Sequence, residues 1–215
     1  MKPSELINKF VEDFLVDELN ELGFSYSKSK LRFIRKLDNI THRIEFSKSR
    51  RNQEGKRAEF WTIWIADSNY YARWHYNRYN SKPQNNLIIS THDKHIKEWN
   101  KDLMGKAGKY NLECERPELV MEKLKWNFIN VGIPLLNKYS TWESSANTII
   151  NEGKYKKDII KASDYFIIAG MKHKGYEPLL VAKEYFETRN KQEPDSFFGT
   201  ILENIETRLK LNYNS

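Results

Sequence analysis

Four scattered histidine and cysteine side chains offer the metal-binding chemistry of this sequence. His92 and His95 have the spacing that would place both imidazoles on one face of a helix. A zinc site needs two further protein ligands, or one further ligand and a water. His75 and Cys114 are the other soft donors within reach, and neither belongs to a metal-binding motif. The spacing therefore predicts surface histidines beside a helix start and no bound metal.

Three further motifs contain residue types that catalysis or cofactor binding requires. Glu45 and Lys48 invite comparison with metal-dependent nucleases, but a spacing of three places them on opposite faces of a strand. Cys114 lies between two glutamates, which oppose formation of the thiolate that a nucleophile needs. Gly105 and Gly108 are isolated and do not form a phosphate-binding loop. We therefore predict no catalytic residue and no cofactor, which favours a protein that is not an enzyme.

The segment from residue 70 to residue 79 combines aromatic rings with arginines. As a strand, it would turn Tyr71, Arg73, His75 and Asn77 to one face, opposite a second aromatic face. Tyrosine, tryptophan and arginine dominate protein-binding hot spots. Aromatic rings and arginines also bind the bases and phosphates of nucleic acids. The candidate binding residues of this segment are Tyr71, Arg73, His75 and Arg78.

The charge of the chain is unevenly distributed. The net charge is +7, yet residues 28–57 hold eleven lysines and arginines against three acids. Residues 1–27 hold two lysines against six acids. The basic segment, including Arg50 and Arg51, predicts either an anion-binding surface or neutralisation by the acidic first helix. We expect the neutralisation.

The apolar pattern predicts a helix followed by a sheet. Helical spacing runs from Ser4, an N-cap, to Gly23, a C-cap. The period then changes to two, and the third strand turns His42, Ile44 and Phe46 to one face. Residues 58–66 are apolar on both faces, which predicts a central strand. The predicted strands of this antiparallel meander are 24–26, 31–35, 41–47, 58–66 and 70–76.

The remaining chain is predicted to become helical. A strand at 87–90, a helix at 95–103 and a strand at 109–113 precede a helix that starts at Pro117 and breaks near Gly132 and Pro134. After about residue 150 three helices follow. The first is predicted to end near Gly175, the second to open at Pro178, and the third to be capped by Asp195.

A set of core and turn residues carries a family resemblance. In chain order they are Leu19, Glu21, Leu22, Gly23, Phe24, Phe33, Arg35, Ile44, Phe46, Lys48, Ser49, Phe60, Thr62, Ile63 and the run from Gly132 to Leu136. Over about residues 14–139, this pattern resembles the bacterial domain-of-unknown-function family numbered 4304. The resemblance implies a fold and supplies no catalytic residues.

The fold class predicted is α+β, with an N-terminal helix packed on an antiparallel meander sheet and an all-helical C-terminal part. We expect an α+β domain at 1–145 and a helical subdomain at 146–215, packed on the first. The single cysteine excludes a disulfide framework, and the sequence shows neither a signal peptide nor a membrane span. These features predict a cytoplasmic protein that does not bind membranes.

Three classes of function remain open from the sequence. The first is a non-catalytic protein-interaction module, of the adaptor or immunity type, with a protein partner. The second is a nucleic-acid-binding accessory protein that uses residues 28–57 and 70–79. The third is an enzyme whose site is assembled from scattered residues. The sequence favours the first and does not indicate an oligomeric state.

Overall fold

A computed structural model describes residues 1–83, 85–105, 107–152 and 158–213. The chain forms two compact units, Met1–Asn137 and Lys138–Ser215. The first unit contains all of the described strands, and the second unit is helical over its described residues. The α+β class, the N-terminal helix, the meander sheet and the helical C-terminal part are confirmed.

Two short helices open the first unit where one was predicted. Helix α1 spans Pro3–Phe14 and helix α2 spans Val16–Glu21. The N-cap is Lys2 rather than Ser4, because proline occupies the first helical position, where its fixed φ suits the helix and its missing N–H is not needed. Gly23 follows with φ of +81°, a conformation that favours glycine.

In the described residues, six antiparallel strands form one sheet: β1 Ser25–Ser27, β2 Arg32–Leu37, β3 Ile40–Lys48, β4 Glu59–Asp67, β5 Leu87–His92 and β6 Tyr110–Asn111. Their spatial order is β1-β2-β3-β4-β5, and β6 pairs with the start of β4. Strand β4 hydrogen-bonds to β3 on one side and to β5 and β6 on the other, which confirms the predicted central strand.

Helix α3, Asn69–Tyr79, occupies the place of the last predicted strand of the meander. The strand prediction for residues 70–76 is wrong because aromatic residues at nearly every position satisfy a helical period as well as a period of two. The helix predicted at 95–103 is also wrong. A single 3₁₀ turn, Asp93–His95, follows β5, and the chain is then irregular as far as β6 over its described residues.

The core of the first unit lies on one face of the sheet. Phe33, Ile44 and Trp64 are in register across three strands and are fully buried. Helix α1 and helix α4, Pro117–Asn127, contribute further core residues. A π-helical turn, Phe128–Gly132, joins α4 to helix α5, Ile133–Asn137, so the predicted break near Gly132 and Pro134 is a change of helical form.

The second unit contains four helices in its described residues: α6 Trp142–Glu152, α7 Asp158–Ile168, α8 Lys172–Gln192 and α9 Ser196–Asn212. Asp195 accepts a hydrogen bond from the Phe197 amide at 2.9 Å, which confirms the predicted cap. Gly175 and Pro178 both lie inside α8, so the predicted break between them is wrong. No helix in the described part of the chain is both long and apolar enough to cross a bilayer.

Candidate functional site

Helix α3 is built from local capping and from ring contacts on its inner side. The Ser68 hydroxyl accepts a hydrogen bond from the Tyr71 amide at 3.2 Å and caps the first turn. Asn80 ends the helix in the left-handed conformation. The rings of Tyr71 and His75 are 5.7 Å apart, and those of His75 and Tyr79 are 4.9 Å apart. Residues spaced by four therefore form the inner face of the helix.

This helical spacing changes which of the expected binding residues reach solvent. Tyr71 and His75 retain 2% and 5% of their exposure and lie on the inner face, so their predicted position on a solvent face is wrong. Arg73 and Arg78 are exposed. An N-capping serine at residue 68, followed by aromatic rings at 71, 75 and 79, was the sequence signal for a helix.

An open groove lies between the outer side of α3 and the segment that leads to β5. Its volume is about 510 Å³. Arg73 and Lys82 provide two cations, and the ring of Tyr76 is about half exposed. Among the described residues that line the groove, none carries a carboxylate. The lining residues are Asn69, Ala72, Arg73, Tyr76, Asn77, Lys82, Pro83, Asn85 and Asn86.

Both ends of this segment are tied to α3 and its cap. The Nδ1 atom of His75 donates to the Ser81 carbonyl at 2.9 Å. At the other end, the Ser68 amide donates to the Asn86 carbonyl at 2.9 Å, and the Asn86 side chain donates to the Asn69 Oδ1 at 3.1 Å. The buried histidine thus has a positioning role, because it holds one wall of the groove. A groove fixed in this way loses little entropy when a ligand binds.

Arg50 and Arg51 lie apart from this groove. They are exposed in the turn that joins β3 to β4, at the Glu59 end of β4. Helix α3 follows the opposite end of β4, after Asp67. A nine-residue strand spans about 26 Å at the usual rise per residue. The expected binding residues therefore form two separate surfaces.

Among the described residues, most of the ion pairs made by the cations of the basic segment are with carboxylates on the strands. Arg43 Nη2 is 2.6 Å from Asp67 Oδ2, Arg57 Nε is 3.6 Å from Glu59 Oε1, and Arg32 also lies near a strand carboxylate. Among the described residues, the segment makes one ion pair with the first helices, between Lys28 Nζ and Glu12 Oε1 at 2.7 Å. Within the same residues, Arg50 and Arg51 are not ion-paired. The two arginines are available to an anion.

His92, one of the two histidines with the spacing of zinc ligands, contacts a buried aspartate that the sequence pattern did not indicate. Asp93 is fully buried and accepts hydrogen bonds from the Thr62 amide at 2.8 Å and from the Thr62 hydroxyl at 2.9 Å. His92 Nδ1 is 2.5 Å from Asp93 Oδ1. Burial raises the pKa of the Asp93 carboxyl and lowers that of the His92 imidazole.

A carboxylate behind an imidazole is the arrangement that orients a general base. The His92 ring is stacked on Trp61, with the two ring planes 4° apart. Among the described residues, the polar neighbours of its Nδ1 are Asp93 Oδ1 at 2.5 Å and the Lys94 amide nitrogen at 3.1 Å, and the ring is not hydrogen-bonded to a hydroxyl or thiol. A nucleophile is not assembled here, and the arrangement anchors the 3₁₀ turn after β5.

Metal-ligating side chains are dispersed. In the described ranges, no group of three or more histidine, cysteine, aspartate or glutamate side chains could hold a metal ion. The rings of His92 and His95 are 5.8 Å apart, and Cys114 is an exposed free thiol. The α3 groove is the candidate site, and its described lining offers two cations, four amide side chains and an aromatic ring.

Comparison of the chain with models of protein families, with curated proteins and with solved structures gives no match. The resemblance to the family numbered 4304 therefore stays a prediction.

Proposed function

We propose that the protein is a non-catalytic interaction module that binds an acidic segment of a partner protein in the α3 groove. The observation that carries the proposal is the composition of the groove. Two cations, an exposed tyrosine ring and four asparagines line it, without a carboxylate among the described residues. Asparagine side chains can hydrogen-bond the amides of an extended peptide, and arginine and lysine can pair with its carboxylates.

The distribution of charge favours a protein over a nucleic acid. A nucleic-acid backbone is bound by a track of cations, each of which neutralises a phosphate. The α3 groove supplies Arg73 and Lys82, while Arg50 and Arg51 lie beyond the other end of β4, a strand whose nine residues span about 26 Å. Several of the intervening arginines are ion-paired with strand carboxylates. The cations therefore do not form one continuous track.

The test compares two double reversals with the same change in charge. R73E/K82E places two carboxylates in the groove, and R50E/R51E places two in the exposed β3–β4 turn. We expect a labelled acidic peptide to lose at least tenfold in affinity for R73E/K82E, about 1.4 kcal/mol, and to bind R50E/R51E almost as it binds the unmodified protein. Fluorescence anisotropy measures both affinities, and thermal melts confirm that both variants fold.

Two outcomes would contradict the proposal. Equal losses in both variants would show that the peptide senses net charge and not the groove. Tighter binding of a single-stranded oligonucleotide than of the peptide, with the steep salt dependence of phosphate contacts, would assign the protein to nucleic-acid binding.

A further inference from the structure

The outward face of α8 is unusual for a surface helix. Tyr176, Leu180, Val181 and Tyr185 are 42%, 39%, 48% and 43% exposed. The opposite face of the same helix is buried and contributes Leu179, Ala182 and Phe186 to the core of the second unit. Four large, mainly apolar side chains thus face solvent on a helix whose opposite face already packs into the core of the second unit.

The exposed residues of α8 between positions 176 and 188 form two parallel rows. One row contains Tyr176, Leu180, Glu184 and Thr188, and the other contains Glu177, Val181 and Tyr185. Each row is spaced by four residues, which is the ridge that packs into the grooves of another helix. From Tyr176 to Thr188, the exposed residues include two glutamates and no lysine or arginine. Lys172 and Lys174 are exposed just before this stretch, and Lys183 within it is ion-paired with Glu187 at 3.0 Å. The exposed surface from Tyr176 to Thr188 is therefore apolar and acidic.

We infer that the outward face of α8 is a docking surface for a basic amphipathic helix of a partner protein. The apolar residues would bury the apolar stripe of that helix, as in other helix-in-groove complexes. Glu177 and Glu184 would pair with lysines or arginines beside the stripe and would set its orientation. The inference concerns a different surface from the α3 groove and does not depend on the function proposed for it.

The order of the residues argues against a second copy of this chain as the occupant. In an antiparallel pair with its two-fold axis between Leu180 and Val181, these two residues would face each other across the axis. The same symmetry would bring Glu177 of each copy against Glu184 of the other. Like charges that face each other repel, whereas a lysine at each position turns both contacts into attractions. The charges therefore favour a basic partner over self-association.

An open cavity beside Tyr176, at the start of the outward face of α8, offers room for a side chain of the docked helix. The rings of Tyr176 and Tyr213 are 5.0 Å apart and line this cavity together with Gly170, Lys172 and His173; its volume is about 520 Å³. Aromatic walls suit an apolar side chain from a docked helix. We expect the partner helix to place one large residue here.

The inference is tested with two synthetic helical peptides that share one leucine stripe. One peptide carries lysines beside the stripe and the other carries glutamates at the same positions. We expect the full-length protein to bind the lysine peptide at least tenfold more tightly in fluorescence anisotropy at low salt. The E177K/E184K variant should invert this preference. L180S/V181S should lose at least tenfold in affinity for the lysine peptide, because it removes the apolar contact.

E118K/E122K is the matched control, since Glu118 and Glu122 are exposed on α4 and the change in charge is the same. This variant should keep the preference for the lysine peptide. Equal binding of the two peptides, no binding of either, or the same inversion in the control would overturn the inference. So would a concentration-dependent dimer in sedimentation that L180S/V181S abolishes, because the occupant would then be a second copy.

Discussion

Gly132 packs directly against the ring of Trp64 in the core of the first unit. A Cβ atom built on Gly132 would lie 2.2 Å from Cη2 of Trp64, far inside contact distance. The tryptophan is fully buried, and its Nε1 donates to the Thr62 hydroxyl at 3.0 Å. Its ring also packs edge-on against Phe128, with the centroids 4.8 Å apart. The glycine is therefore required by the ring that fills the space beside it.

We predict that G132A and W64A are strongly coupled. G132A should destabilise the protein by about 1–3 kcal/mol through overpacking, and W64A should do so by about 3–5 kcal/mol through loss of a buried ring. Because W64A opens the space that the added methyl group needs, the double variant should cost less than the sum of the two changes. Denaturant melts measure the three free energies, and simple additivity would contradict the close contact.

Tyr26 carries a buried hydroxyl that has no hydrogen-bond partner among the described residues. Its ring packs on Phe33, with the centroids 4.9 Å apart. Burying a hydroxyl without a hydrogen bond costs roughly 1–3 kcal/mol in proteins. We therefore predict that Y26F keeps the ring contact and is neutral or more stable by up to about that amount. A loss of stability in denaturant melts would show that the hydroxyl makes a contact in solution.

Tyr26 also predicts a response to alkaline pH. Burial raises the pKa of its hydroxyl to about 12. The unfolded chain loses this proton near the ordinary pKa of about 10, while the folded chain retains it. The free energy of unfolding is therefore unaffected by the ionisation of Tyr26 below pH 10 and falls as pH rises from about 10 toward 12. Y26F should lose less stability than the unmodified protein over this interval, as measured by melts at stepped pH.

At the scale of single elements, the β3–β4 turn separates two interpretations of the basic segment. Neutralisation by the acidic first helix predicts that reversing Arg50 and Arg51 lowers stability. Both side chains are exposed and, within the described residues, form no ion pair. The structure therefore favours a turn whose charges are free to act on an external anion.

We accordingly predict that R50E/R51E changes the free energy of unfolding by no more than about 0.5 kcal/mol. R43E is the positive control, because Arg43 is half-buried and Nη2 lies 2.6 Å from Asp67 Oδ2. Its reversal would place a third carboxylate beside Asp67 and Glu45, and its melting temperature should fall clearly. A comparable fall in the melting temperature of R50E/R51E would instead support neutralisation of these arginines by the acidic first helix.

At the scale of the whole molecule, each unit has a core of its own. The first core combines one sheet face with helices from both ends of the unit. The second core is smaller and is formed by residues of α7, α8 and α9. In the second unit, Arg208 also makes a buried bidentate ion pair with Asp164, at 2.8 Å and 3.0 Å. A buried pair of this kind favours a specific packing more than it adds stability.

We predict that residues 1–137 fold when they are expressed alone. A chain of this length can bury enough apolar surface for cooperative folding, whereas a unit of fewer than eighty residues is marginal. The fragment should show a single cooperative thermal transition in circular dichroism, and residues 138–215 should melt at a lower temperature. An unfolded 1–137 fragment would show that the first unit requires the second.

Much of the sheet was predictable because its signals are local. Alternating apolar residues indicated that His42, Ile44 and Phe46 share a buried face of β3, and all three are buried. The apolar character of both faces placed β4 in the centre of the sheet. Asp195, a capping residue before an apolar helical pattern, marked the start of α9. Such patterns lie within a few residues of one another and depend little on the rest of the chain.

The sequence by itself thus determined the meander of the first four strands, the central place of β4 and the helical character of the second unit, since each follows from short-range periodicity. Beyond the cap at Ser68, the tertiary structure decided α3, because the run from Tyr70 to Tyr79 satisfies both periods. It also decided α8, which continues through Pro178 despite the lost hydrogen bond and in which Gly175 packs closely against Ser163 and Tyr213. The hydrogen bond between Asn69 and Asn86 at the groove links residues far apart in the sequence. No local pattern encodes it, because only folding brings the two residues together.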